Sequence, residues 1–359
     1  MFKLQPTIKD YAWGKKSTES LGAKFSETGE EYETVAEVWW GSHALGPTYL
    51  QDKTFFSKPL QNIPYLLKII SVDKPLSIQI HPDVYNAYYL HKQNPLFYPD
   101  TFPKPEMALA LTQFDALCGF LPNTEIVEYM HKYPEFAQVA GGTQQPPFTA
   151  IQNLISSPQD VVSHAVSALA TRLQSKSPPD KTEKLVLDLM RFYPGDVGVF
   201  APFFMNHVRL MPGEALVIPP QEIHCYLFGE AVECMAPSDN VVRAGLTNKP
   251  RDVDTLLTLV HPGHRDPIVL PPCEQYGHPT CEPYFTLRKF HCSGGSSVTV
   301  TKQEDPAIIL VVEGCGFMGD KVTATGDSWL MVDKQCVCRG DMVLIIAQPC
   351  SEKKGGTRL

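Results

Sequence analysis

No stretch of this sequence approaches the roughly 18 to 20 consecutive apolar residues that a membrane-crossing helix requires. The opening run from Met1 to Lys16 has no apolar core of the kind a secretory leader carries, so a cytoplasmic location away from membranes is expected. Positive charge is also scarce: 31 Lys and Arg stand against 39 Asp and Glu, a net charge of −8. That balance argues against a nucleic-acid partner, yet a small basic pocket for one phosphate fits inside such an acidic envelope. No P-loop is present to support a nucleotide-binding parallel sheet. The ten cysteines are scattered. The one close pair, Cys336-Val337-Cys338, has no second Cys or His pair near it and does not specify a zinc knuckle. Cys118, Cys225 and Cys315 lie in apolar strand-like runs, and reduced, mostly buried thiols are expected.

What is abundant is turn chemistry. Thirty-two prolines and 24 glycines in 359 residues fall between short apolar runs, which suits a sandwich or jelly roll. Residues 65–70 and 76–81 read as strands. From Asn123 to about Tyr193 the period becomes helical: Asn123 is placed to cap a helix from Thr124, and Ser157-Pro158 to start one carrying Val162, Ala165, Val166, Leu169 and Leu173. Pro194-Gly195 closes the segment. Strand signals resume at Val197–Phe200 and Ala215–Ile218, then at Val298–Thr301, Ala307–Val312, Trp329–Val332 and Met342–Ala347. The expected class is mainly β with an α insert.

Four side chains could meet at a metal ion. Gln79 and His81, two apart on a strand, share a face; Glu106 begins an apolar run; His224 follows the Pro219-Pro220 turn. Singly, each reads as readily as a hydrogen-bonded core group or an edge charge. Together they supply two imidazoles, a carboxylate and an amide oxygen, a set suited to Zn²⁺ and compatible with Fe(II) or Mn²⁺.

Six segments occur in an order that narrows the reading: Tyr11-Ala12-Trp13-Gly14, Ala36-Glu37-Val38-Trp39, Leu76 to Pro82, Lys104-Pro105-Glu106-Met107, Glu222-Ile223-His224-Cys225-Tyr226 and Ser238 to Thr247. The chain resembles the type I mannose-6-phosphate isomerases (phosphomannose isomerases) of the cupin superfamily over about residues 1–255. By that resemblance, residues 1–121 and 196–255 form a zinc-bearing catalytic cupin, 122–195 a helical insert, and 256–359 a second, C-terminal cupin without metal.

The resemblance further implies one zinc per chain held by Gln79, His81, Glu106 and His224, and interconversion of mannose 6-phosphate and fructose 6-phosphate in a cytoplasmic, monomeric enzyme supplying GDP-mannose biosynthesis. It places Arg243 in the active site, where a permanent cation suits an enediolate. Lys104 and Glu233 are the acid/base candidates, with a metal-bound water as a third. Lys68, Ser77 and Lys249 are candidates for the phosphate. One departure stands beside a ligand: after His81-Pro82-Asp83 this chain has Val84 where relatives often have lysine. Competing readings are another metal cupin (an Fe(II) dioxygenase or a different sugar-phosphate isomerase or epimerase) and a non-catalytic sugar-binding bicupin.

Overall fold

The computed structural model describes residues 1–26, 32–51, 59–175, 178–261, 263–304 and 306–350. Two large antiparallel sheets dominate, and the helices from Asn123 to Phe192 gather between the strands Phe114–Phe120 and Met205–Leu210. This is the mainly β architecture with a helical insert that the turn-rich composition and the change of period suggest.

The first sheet is organised around one long strand, His224–Met235. Its first half pairs with Phe114–Phe120 (Cys118 opposite His224), and its second half with Leu66–Val72 and Glu106–Ala110. The hand-over occurs at Gly229, whose φ of +112° is a glycine conformation. A Cβ there would lie 2.3 Å from the Gln113 carbonyl oxygen, so the turn of the strand from one set of partners to the other requires the missing side chain. Two shorter strands, Ile78–Ile80 and Val242–Gly245, are added at the His224 end.

The second sheet has its own long strand, Gln335–Gln348, between Thr286–Cys292 and Ala307–Met318. The sheets exchange edges. Phe2–Gln5 pairs with Ser328–Met331 in the second sheet, while Ile268–Leu270 pairs with Ala215–Ile218 in the first. A shared core follows: Leu4, Trp40, Leu67 and Leu109 pack with Phe285, Leu310 and Ile345. Each such aliphatic side chain, fully buried, contributes about 1.5 to 3 kcal/mol.

The helices Asn123–Lys132, Pro134–Val139, Pro147–Ser156, Gln159–Gln174 and Lys181–Phe192 bury Met130, Phe136, Leu154, Leu169 and Leu189 against Ile78, Ile80 and Phe120 of the first sheet. Local details differ from the sequence reading. Asn123 lies inside its helix and Pro122 takes the cap position. Ser157 bonds backward to the carbonyls of Asn153 and Val139 instead of capping forward. Val197–Phe203 is a 3₁₀ helix, not a strand, because the Asp196 carboxylate accepts the Gly198 amide and winds the chain. Cys118 and Cys225 are buried free thiols, but Cys315, also free, is exposed on the outer face of its strand.

Candidate metal centre and pocket

Register brings the site together. Gln79 lies opposite His224 on one side and Arg243 on the other, so three side chains from adjacent strands point to one face. Glu106 starts its strand opposite Met235. His81, just past Ile78–Ile80, completes the group, and the ligating atoms of His81, Glu106 and His224 all lie within 4.8 Å of one another with the three residues buried.

The protonation pattern of this group is decided by its outer contacts. His81 Nδ1 lies 2.7 Å from the Asn240 carbonyl and His224 Nδ1 lies 2.9 Å from the Glu222 carbonyl. A carbonyl oxygen can only accept, so both Nδ1 atoms carry a proton, which makes Nε2 the lone-pair nitrogen of each neutral ring. These lone pairs face Glu106, at 3.4 Å from Oε1 for His81 and 3.2 Å from Oε2 for His224. Burial, with Lys104 alongside, lowers His81 to about 4 and keeps it neutral near pH 7. Burial alone would raise the Glu106 carboxyl, but Lys104 pulls it well below its ordinary value. His81 Nε2 and Glu106 Oε2 are buried without a hydrogen-bond partner. Convergent lone pairs with no proton between them are costly unless a cation sits among them, so these residues fit a metal ion. The Gln79 amide turns its nitrogen toward His224 Nε2 at 3.4 Å. A half-turn of that amide presents its oxygen instead.

Beside the group opens a cavity of about 610 Å³, within the range of small-ligand sites. Its wall includes Lys68, Ser77, Gln79, Lys104, Glu106, Glu233, Arg243 and Lys249, with His81 and His224 buried behind. Lys104 Nζ meets Glu106 Oε1 at 2.9 Å, so the two do share a side across Pro105. Lys68 lies directly opposite Glu233 in the register and Trp39 on the other flank. Its ammonium is 2.9 Å from Glu233 and 3.6 Å from Glu37. Burial would lower this lysine, and Glu233 with Glu37 more than reverses that, leaving it raised and firmly protonated. Arg243 is ion-paired with neither Glu233 nor Asp239: Glu233 is engaged by Lys68, and Asp239 by His43 at 3.0 Å. Its guanidinium, lowered slightly by burial but still a cation, lines the cavity.

The wall also holds residues that sequence reasoning left without a role: Tyr11, Trp13, Glu37, Lys74 and Tyr226. Tyr226 had a legible signal, since it stands two residues from His224 on the same strand face. Burial, then Glu233 and Glu106, pushes its phenol well up. Glu37 lay within one of the six segments, two residues from Trp39, whose indole donates to it; its contact with Lys68 of the neighbouring strand is visible only in three dimensions. Val84 is the first residue of the helix Val84–Gln93, 52% exposed, and is not part of the cavity wall.

Comparison with known proteins places this geometry. Residues 1–123 match the catalytic domain of type I phosphomannose isomerase, and residues 136–205 match its helical insertion domain. The chain is 35% identical to mannose-6-phosphate isomerase 1 of Arabidopsis thaliana over 385 aligned residues, covering 91% of this chain and 87% of that one. It is 34% identical to the human mannose-6-phosphate isomerase, covering 90% of each. A phosphomannose isomerase variant from Salmonella typhimurium shares the fold, with a TM-score of 0.87 at 24% identity over 98% of this chain and 100% of that one. A mannose 6-phosphate isomerase crystallised with zinc and yttrium superposes with a TM-score of 0.84 at 25% identity, over 98% and 100%. With full-length relatives above 30% identity and both family domains matched, the chain belongs to the type I phosphomannose isomerase family.

Proposed function

We propose that this protein interconverts mannose 6-phosphate and fructose 6-phosphate, with one zinc ion held by Gln79, His81, Glu106 and His224. The observation that carries the reading is the buried convergence of two imidazole lone pairs and a carboxylate at the wall of a cavity that also presents Arg243 and Lys104. Zinc in a relative of 25% identity supports the choice of metal. When bound, the ion supplies Lewis-acid polarisation of sugar oxygens.

The chain's own residues account for the rest. Isomerisation moves a proton between C1 and C2 through an enediol, which calls for an acid/base group and a stabiliser of the developing oxyanion. Arg243, a cation with no carboxylate partner among the described residues, is the stabiliser. Lys104 and Glu233 are the groups that hold and move the proton. Lys68, firmly paired, orients Glu233. The phosphate is assigned to the open end, where Lys249 and Ser77 line the wall together with Lys74. Because Lys68 is engaged by two carboxylates, it contributes there through the field of the pocket only.

A coupled assay of mannose 6-phosphate conversion, run before chelation, after it and with zinc added back, tests the reading. Activity lost and restored is expected; none at saturating zinc overturns it. Arg243→Ala should retain zinc and lose about 10² to 10³ in kcat. Unchanged turnover would remove Arg243 from the chemistry; zinc bound without isomerase activity would favour a different metal enzyme on the same ligands, and a protein that takes up no metal a sugar-binding role.

A further inference from the structure

One carboxylate outside the cavity wall has more hydrogen-bond donors aimed at it than a surface charge would attract. Asp100 sits in the loop that leads from the helix Val84–Gln93 to Glu106. Its Oδ1 accepts from the Phe102 amide at 2.9 Å, from Ser238 Oγ at 2.9 Å and from Asn240 Nδ2 at 3.0 Å. Its Oδ2 accepts from the Asp239 amide at 2.8 Å. The Asp100 main-chain carbonyl takes a second bond from Asn240 Nδ2, also at 2.8 Å. Three consecutive residues, Ser238, Asp239 and Asn240, are therefore held by one side chain from a distant part of the chain. From the other side, His43 meets the Asp239 carboxylate.

What the clamp holds is a single acceptor. The carbonyl of Asn240, a fully buried residue, receives the Nδ1 proton of His81 at 2.7 Å. That bond sets both the tautomer and the plane of the ring, and so the direction of the Nε2 lone pair. Asp100 is six residues before Glu106 in the same segment, so it also ties the approach of one ligand to the support of another.

We propose that Asp100 is a positioning residue for the metal centre: through the Ser238–Asn240 loop it fixes the His81 ring and thereby sets the affinity for the ion. This rests on the reading of the site as a zinc centre. The carboxylate is specific to the role. Four donors point at its two oxygens, so an asparagine would set its own NH₂ against a donor, either the Asp239 amide or the Oδ1 group.

The test is zinc affinity of the full chain, measured by competition with a chromophoric chelator, alongside circular dichroism and the unfolding temperature of the metal-free protein. Asp100→Asn and Asp100→Ala are expected to weaken zinc by about 10- to 100-fold, and Ser238→Ala, which removes one of the bonds, by less. Asp180→Ala is the control. It breaks the capping box of the helix Lys181–Phe192 and should lower the unfolding temperature while leaving zinc affinity unchanged. A folded Asp100→Asn protein that holds zinc within about twofold of the unaltered chain overturns the proposal, given that shell residues of this kind otherwise cost far more. So does a loss of affinity equal to that of Asp180→Ala. If Asp100→Ala does not fold, the asparagine and Ser238→Ala variants carry the test. An unaltered chain that binds zinc but shows no isomerase activity defeats the proposed function and leaves the role of Asp100 standing; one that binds no zinc defeats both.

Discussion

The two sheets are built alike around a long central strand, yet they use their interiors differently. In the first, the strand His224–Met235 faces its neighbours with His224, Tyr226 and Glu233, and the interior on that side is a cavity rimmed by charge. In the second, the strand Gln335–Gln348 offers Cys336, Cys338, Met342, Leu344 and Ile346 to a core closed by Phe290, Ile309 and Trp329. Among the described residues, no second group of His, Cys, Asp or Glu converges as His81, Glu106 and His224 do. A β-sheet unit can stabilise itself with apolar filling or keep its interior open for chemistry. The open choice leaves buried charges that must be paired, as Lys68 is with Glu233 and Glu37.

The sharpest way to break this contrast is to remove a ligand. His224→Ala should abolish stoichiometric zinc binding and cut turnover by roughly 10³-fold or more, read by metal analysis and the coupled assay, with the fold retained. A cavity cut in the filled sheet should do the reverse: Ile309→Ala, at a fully buried position, is expected to cost about 2 to 5 kcal/mol in denaturant unfolding and to leave zinc affinity alone.

Acid provides a milder probe of the first sheet. At Asp115, burial raises the carboxyl, but His207, Arg209 and Gln113 overcome this and hold it to about 2. The folded value lies below the unfolded one, so the associated stability is fully present above about pH 4 and is lost as the pH falls toward 2. Screened by nearby solvent, it amounts to about 1 kcal/mol, and Asp115→Asn should remove that part of the pH dependence of unfolding. Val84→Lys should do least, shifting KM by less than about twofold, since exposed substitutions away from a site stay within about 0.5 kcal/mol. A large gain in affinity would draw Val84 back into the substrate's environment.

The convergence of His81, Glu106 and His224 was legible because metal ligands need particular side chains, and strand alternation places Gln79 and His81 on one face whatever the remainder of the fold does. The helical stretch was legible from its period, and Pro194-Gly195 from their chemistry. Interactions that depend on register were not. Nothing local to Lys68 announces that Glu233 will lie opposite it and Glu37 beside it, and so its availability for phosphate could not be judged from the chain alone. The same holds for Asp100, whose bonding partners lie some 140 positions away in the sequence. Caps failed for a nearer reason: Ser157 had two helices within reach and bonded to the one already behind it.

The exchange of edge strands has a consequence for how the molecule is made. Ser328 Oγ donates to the Leu4 carbonyl across 324 positions of sequence; Leu4 and Gln5 pair with Leu50 and Tyr49 nearby, but Phe2 and Lys3 pair with Leu330 and Trp329. During synthesis this strand thus leaves the ribosome long before the partner of Phe2 and Lys3 does. Until then the shared core around Leu4 and Leu310 stays open, and contacts of such long range form slowly. A strand left open along one edge with exposed apolar residues is prone to aggregate. The interval between the emergence of Leu4 and that of Trp329 is therefore when the nascent chain depends most on its surroundings.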